Sequence, residues 1–160
     1  GEILDLMSSC VSHLPEDIGY KNVIGLGMNQ IELEANSRLS SHLVHNLAVN
    51  PKLPFANNSF DACTLTVSVQ YVVHPIAVFQ EIGRVLRPNC PCIVSFSNRC
   101  FPSKAVSIWH QLSDMGHAQL VAHYFDGSGV FDTPKTADIS PNRGKTDPLI
   151  VVCAKSKSKP

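Results

Sequence analysis

The sequence predicts an α/β fold in which a mainly parallel sheet is covered by helices on both faces. Three observations predict it. Short apolar runs alternate with helix-period segments from one end of the chain to the other, the pattern that crossover-connected parallel strands leave in a sequence. The 160 residues suit one domain. Hydrophobic residues make up 44% of the chain and charged residues 16%, against a usual charged share of ~25%, so a sizeable core is available.

The elements follow in order. Glu2–Met7 reads as a buried strand, and a Ser/Pro/Asp-rich connection over 12–19 follows it. Asn22–Met28 is a second strand. Asn29 with Glu32 three residues on has the spacing of a capping box, and Ile31, Ala35 and Leu39 give the ensuing helix an inward stripe. His42–Leu47 reads as a third strand, and Asn50–Ser59 is loop by composition. The fourth strand lies within Phe60–Val73, most strongly over Ala62–Val69, where β-branched residues dominate. Pro75 opens a helix at its first turn, Phe79, Ile82, Gly83 and Leu86 form its stripe, and Arg87 puts a positive charge at its carboxyl end. Cys92–Ser97 is a fifth strand. Ala105, Ile108, Trp109, Leu112 and Met115 predict an amphipathic helix, continued past a break at Gly116 by Leu120, Val121, Tyr124 and Phe125. Lys135–Ser140 and Pro148–Ala154 complete the strands.

Composition excludes several function classes. Lys+Arg and Asp+Glu are both 13, giving a net charge of zero, whereas domains that bind nucleic acid through phosphates carry a basic excess. No apolar run approaches the ~18 residues of a membrane span. The six cysteines include only one close pair, Cys90 and Cys92, with no second pair at zinc spacing. His42 and His45 point to opposite faces of a strand, so no metal site is expected. Cys63 and Cys153 sit in apolar runs as small hydrophobes, which fits a reducing, intracellular compartment. Asn57-Asn58-Ser59 reads as a turn rather than a glycosylated site.

Ligands of open α/β sheets bind at the carboxyl ends of strands, near the reversal of strand order. The segments that end there are Asp5–Cys10, Gly25–Asn29, Ser68–Tyr71 and Ser97–Arg99. Gly25-x-Gly27 is half of a dinucleotide fingerprint without its third glycine, and a dinucleotide-binding oxidoreductase is the weakest of three readings.

The central region carries a sharper signal. Leu53-Pro54-Phe55, Asn58-Ser59-Phe60-Asp61-Ala62 and Glu81-x-x-Arg84-Val85-Leu86-Arg87-Pro88, in this order around a strand, resemble the class I S-adenosylmethionine-dependent methyltransferases, type 11. Asp5–Ser9, Val11–Pro15 and Ser95–Arg99 resemble a plant and cyanobacterial subgroup. The resemblance implies a Rossmann-like three-layer sandwich with seven strands, mostly parallel, the last antiparallel. It implies a methyltransferase-like domain over 1–154 followed by a basic flexible tail over 155–160. Family members extend upstream into helices that close over the site, so the chain, opening on its first strand, reads as part of a longer protein. A plant-type relationship points to the chloroplast, and otherwise to the cytoplasm.

Carried over residue by residue, the resemblance assigns S-adenosylmethionine to Asp5, Met7, Ser8, Ser9, Gly27, Met28, Asn46, Leu47 and Ser68. Three departures bear on that assignment. The family's glycine loop after the first strand holds Met7, Ser9 and Val11 here; the acid that grips the ribose hydroxyls is Gly27; and the Asp that accepts from the adenine amino group is Asn46. Ser8 and Ser9 offer new hydroxyls, and Glu32 or Glu34, one helical turn on, offers a substitute for the ribose contact. Gln70, Tyr71, His74 and Arg99 are the substrate-side candidates. No general base is assigned, because alignment of the acceptor with an already activated methyl group supplies most of the catalysis. The first reading is a methyltransferase acting on a small molecule. Its alternative is a catalytically inactive subunit of the same fold that binds or assembles with a protein partner.

Overall fold

The computed structural model describes residues 1–158. The strands are β1 (Glu2–Leu6), β2 (Asn22–Gly27), β3 (Ser41–Val44), β4 (Ala62–Thr66), β5 (Pro91–Phe96), β6 (Lys135–Asp138) and β7 (Ile150–Lys155). The helices are α1 (Gln30–Ala35), α2 (Pro75–Val85) and α3 (Asp114–Ser128). All seven strands join one sheet in the order β3-β2-β1-β4-β5-β7-β6. Neighbours from β3 to β5 are parallel, and β7 runs antiparallel to both β5 and β6. This is the mostly parallel, Rossmann-like sheet with an antiparallel last strand. The chain winds outward from β1 through β2 to β3 and then restarts on β1's other side with β4, which makes the β1/β4 junction the switch point where a ligand crevice forms.

The helices flank the sheet unevenly. On one face Leu4, Leu6, Leu26, Cys63, Leu65, Cys92, Val94 and Val152 are buried under α2 and α3. Phe79 of α2 meets Phe125 of α3 edge-on at 4.8 Å, a contact worth ~0.5–1.5 kcal/mol beyond its burial. On the other face α1 packs against β2 and β3. Leu33 of α1 is buried there with Ile3 and Val23, whereas Thr64, Ser95, Val151 and Cys153 stay half-buried and Ile93 is 37% exposed.

The residues that resembled a family signature turn out to be scaffolding. Glu81 accepts from Arg84 Nε at 2.7 Å and from its terminal nitrogen at 2.6 Å, and also from the Leu53 amide at 2.8 Å. Arg84 in turn donates to the carbonyls of Leu53 and Phe55 and to Asn57 Oδ1. The pair therefore clamps the 53–57 loop onto α2. Asp61 accepts from the Glu2 amide at 2.7 Å and from Arg87, tying β1 and β4 to the end of α2. Those bonds hold the Asp61 carboxyl below its ordinary range, the Glu2 amide contributing most and Arg87 next.

Several expectations need correction. The fourth strand stops at Thr66, because Val67 adopts φ +50° and turns the chain into a 3-10 turn over Val69–Tyr71; β-branched character reports fit to a pleated surface, not where the sheet ends. The third strand is shorter than His42–Leu47 and ends at Val44. The helix predicted over 105–115 does not form. Residues 105–112 make turns around Trp109, which packs on Phe96 at 5.4 Å and stacks on His117 at 3.9 Å, while Ile108 and, in the first turn of α3, Met115 are exposed. Helix α3 starts later, capped by Ser113, whose Oγ accepts from the Gly116 amide. Gly116 thus sits in its first turn and breaks nothing. In α1 the cap at Asn29 forms, accepting from the Ile31 and Glu32 amides. The stripe does not: Ile31 is 78% exposed and Leu33 is the buried residue. Six residues make under two turns, so one side chain, not a stripe, anchors the helix. Arg87 lies beyond the end of α2 and serves Asp61 rather than the helix pole. Of the segment 155–160, Lys155 closes β7, Ser156 is buried with its Oγ donating to the Arg87 carbonyl, and the Lys157 amide donates to the Val130 carbonyl. Lys159 and Pro160 lie outside the described residues.

Candidate functional site

A cleft of about 720 Å³ opens at the carboxyl ends of β1, β2 and β4, at the switch point. Its size falls within the ~300–1,000 Å³ typical of small-molecule sites. Met7, Ser8, Ser9, Gly27, Met28, Asn46, Leu47 and Ser68 all line it, eight of the nine residues predicted for the cofactor. The substituted loop does not fill the space.

Met7 shows why. It adopts φ +57°, the left-handed conformation that costs an L-residue ~1–2 kcal/mol and that glycine takes freely. The backbone therefore follows a path suited to glycine although the residue is methionine. Asp5, the ninth predicted residue, lies behind the loop in a smaller recess of about 240 Å³. Its carboxylate is buried and accepts from Ser8 Oγ at 2.7 Å, Ser12 Oγ at 2.5 Å and Thr64 Oγ1 at 3.2 Å. Asn36 Nδ2 adds bonds to the Ser9 carbonyl at 2.7 Å and to Ser12 Oγ at 3.0 Å. Buried and fully partnered, this network makes the loop rigid. Asp5 shapes the cleft wall from behind.

Gly27 is buried at the end of β2, and a Cβ added there would stand 2.3 Å from the Ser8 carbonyl oxygen. The Ser8 amide donates to the Leu26 carbonyl at 2.9 Å, holding loop and strand together at that point. The missing acid and the altered loop are thus one change: with the loop this close, no side chain fits at 27. A carboxylate is nonetheless present. Glu32 lines the cleft from α1, its Oε2 accepting from Ser9 Oγ at 2.7 Å and its Oε1 from Asn29 Nδ2 at 3.0 Å. Glu34 instead accepts from Gln30 on the surface. Asn46 Oδ1 accepts from the Ala48 amide at 3.0 Å, so its side chain is braced at the cleft wall.

Of the substrate-side candidates, Tyr71 lines the cleft. Gln70 is fully buried beneath it, its Nε2 donating to the Val67 carbonyl at 3.2 Å. His74 is the exposed residue before Pro75, outside the cleft lining. Arg99 is 79% exposed and paired with Asp147. Sequence reasoning missed His45, Thr66, Val67, Phe101 and Lys104, which also line the cleft. Phe101 and Lys104 follow the fifth strand's end, so the strand-end rule pointed to the right segment and stopped two residues short of Phe101 and five short of Lys104. Ser68 is 7% exposed, and its Oγ is buried without a hydrogen-bond partner. A buried hydroxyl of this kind costs ~1–3 kcal/mol until something bonds it. Cys63, beside Asp5's strand, is the opposite case: burial pushes its thiol up, followed by its contact with Cys92, and keeps it protonated.

Residues 8–94 match the family described as methyltransferase domain. No curated protein sequence matches the chain. Among solved structures it is similar to the complex between the Haloferax volcanii Trm112 methyltransferase activator and a methyltransferase, with TM-score 0.68 and 14% identity over 99% of this chain and 83% of that one. It is similar to the [4+2]-cyclase SpnF, with TM-score 0.72 and 14% identity over 99% of this chain and 76% of that one. A third similar structure is Haemonchus contortus phosphoethanolamine N-methyltransferase 2 in complex with S-adenosyl-L-methionine, with TM-score 0.65 and 12% identity over 98% of this chain and 49% of that one.

Proposed function

The chain belongs to the methyltransferase domain family, and we propose from that premise that its cleft binds S-adenosylmethionine and serves methyl transfer to a small molecule. The observation that carries this reading is the open cleft lined by Met7, Ser8, Ser9, Gly27, Asn46 and Ser68, with Met7 held at a glycine-like φ. S-adenosylmethionine, when bound, supplies a methyl group already activated on a sulfonium. The chain's part is to bind and align. Glu32 would provide the hydroxyl-accepting carboxylate that Gly27 cannot, Asn46 would provide a neutral acceptor and donor, and the Ser8–Ser9 segment would hold the cofactor's amino-acid end. Ser68 places a partnerless hydroxyl at the end of β4, beside the switch point.

Calorimetric titration with S-adenosylmethionine and S-adenosylhomocysteine tests the reading. Both bind, and Glu32→Gln weakens binding by about tenfold or more, as expected for a charge-assisted hydrogen bond of ~1.5–3 kcal/mol. Absence of heat at millimolar ligand would sink it. The second reading, a catalytically inactive binding subunit of the same fold, is favoured by one observation, the consumption of Asp5 by Ser8, Ser12 and Thr64. Cofactor binding with no methyl transfer to any of a broad acceptor panel would favour that reading. A chloroplast setting belongs to the same proposal, on the plant-type resemblance alone, and imaging of a tagged chain in leaf cells tests it.

A further inference from the structure

The cleft lining is divided by chemistry. At the β1–β2–α1 end it carries one carboxylate, Glu32, among Ser8, Ser9, Asn29 and Asn46, beside Met7 and the exposed Met28. The other end is different. Tyr71, Val72, Val73 and Phe101 are apolar, Phe101 is 67% and Val73 54% exposed, and Lys104 is the one lysine or arginine lining the cleft among the described residues. Exposed apolar groups gathered at a concave site, unlike scattered ones, mark a surface that takes an apolar ligand.

This end is built. The Tyr71 hydroxyl accepts from the Phe101 amide at 2.9 Å, and the Val106 amide donates to the Gln70 carbonyl at 2.9 Å, so the 101–106 segment is fastened along the 3-10 turn. The Tyr71 and Phe101 rings lie 6.4 Å apart, tilted by 32°, as a shelf. Lys104 Nζ stands 5.3 Å over the Phe101 ring and, among the described residues, has no carboxylate in salt-bridge contact.

Resting on the cofactor reading above, we propose that the Tyr71–Phe101–Lys104 end binds the second ligand, a small molecule with a flat apolar body and one anionic group, carboxylate or phosphate. The rings and Val73 cover the body, and Lys104 neutralises the anion. A lysine recognises either anion as a point charge, which is why both belong to one class. Glu32, at the far end, disfavours an anion there and so orients the ligand.

Titration of the chain with cinnamate, the neutral cinnamamide and phenyl phosphate, each with and without S-adenosylhomocysteine, tests this. The expected result is that at least one anion binds about two- to tenfold more tightly than cinnamamide, the range for a solvent-exposed cation in a partly apolar site. Lys104→Gln abolishes that preference, Lys104→Arg keeps it, and Phe101→Ala weakens the anion and cinnamamide alike. The better of the two anions names the carboxylate or the phosphate as the source. Equal binding of anion and amide, no binding at millimolar concentration, or a preference that survives Lys104→Gln overturns the proposal. S-adenosylhomocysteine that binds while no anion is preferred refutes this inference alone. An anion preference without S-adenosylhomocysteine binding refutes the cofactor reading alone.

Discussion

Replacing Gly27 by alanine tests the closest approach of backbone to a glycine among the described residues. The added Cβ would stand 2.3 Å from the Ser8 carbonyl oxygen and 3.2 Å from Leu33 Cδ2, where ordinary contact begins at 3.4 Å. Leu33 can yield, since it is the end of a flexible side chain. Ser8 cannot yield cheaply, because its amide is bonded to Leu26 and its Oγ to Asp5. Relief therefore demands a backbone shift of about 1 Å, and such overpacking costs ~1–3 kcal/mol. Weakening the Ser8–Leu26 hydrogen bond adds ~0.5–1.5 kcal/mol. The sum, ~2–4 kcal/mol, lowers Tm by roughly 5–15 °C for a chain of this size. Thermal unfolding followed by circular dichroism at the helix band reads this directly. Gly27→Asp loses at least as much stability and does not tighten S-adenosylhomocysteine binding, because its carboxylate has no room beside Ser8. A Gly27→Ala protein that melts within a degree of the parent, or a Gly27→Asp protein that binds more tightly, refutes the claim that loop and strand exclude a side chain here.

Three further outcomes are expected. Glu81→Gln loses about 1–2 kcal/mol at neutral pH, because hydrogen bonds from Arg84, then from the Leu53 amide, hold the Glu81 carboxyl below its ordinary 4.5. A lowered carboxyl stabilises the fold above its ordinary value and loses that effect as pH falls through the lowered one, so the gap between parent and variant closes on acidification below about 4.5; urea midpoints that keep a constant gap down to acid pH contradict the clamp. Val67→Asn raises Tm by roughly 2–4 °C, since asparagine tolerates the left-handed conformation observed at φ +50° and the site is 41% exposed; an unchanged or lower Tm means that valine is not strained there. Met7→Gly leaves stability within ~1 kcal/mol of the parent, relief of φ +57° offsetting greater freedom in the unfolded chain. It also tightens S-adenosylhomocysteine, and weaker binding in calorimetry would show that the Met7 side chain supports the ligand rather than crowding it.

Much of the sheet was legible because burial imposes periodicity on sequence. Strands β1, β2, β5 and β7 and the stripe of α2, Phe79, Ile82 and Leu86, are positions where the core alone decides the residue. The failures are places where a tertiary contact decides. Nothing local announces that Val67 turns left-handed; its amide is held by the Ser95 carbonyl of the neighbouring strand. The 105–112 segment has helical spacing, yet Trp109 is claimed by Phe96 and His117 from two other elements.

The site divides in the same way. The loop and strand-end residues were reached through their place at strand ends and the family resemblance, and of the two acids offered in place of Gly27, Glu32 and Glu34, Glu32 lines the cleft. Sequence reading registered Gly27 as a lost acid. The structure supplies the physical reason, a carbonyl oxygen where the side chain would begin. Lys104 and Phe101 were invisible because they reach the cleft through a loop pinned by the Tyr71 hydroxyl, a contact spanning 30 residues.

The central claim, that the β1/β4 switch-point cleft is the S-adenosylmethionine site, is tested most directly by amide chemical shifts. The ¹H–¹⁵N spectrum of the uniformly labelled chain is recorded as S-adenosylhomocysteine is added. The account predicts saturable shifts at the amides of Met7–Ser9, Gly27–Asn29, Asn46–Ala48 and Ser68, all lining one cleft, with α3 and the β6–β7 edge unmoved. Shifts confined to residues away from that cleft, or no shifts at millimolar ligand, would contradict it.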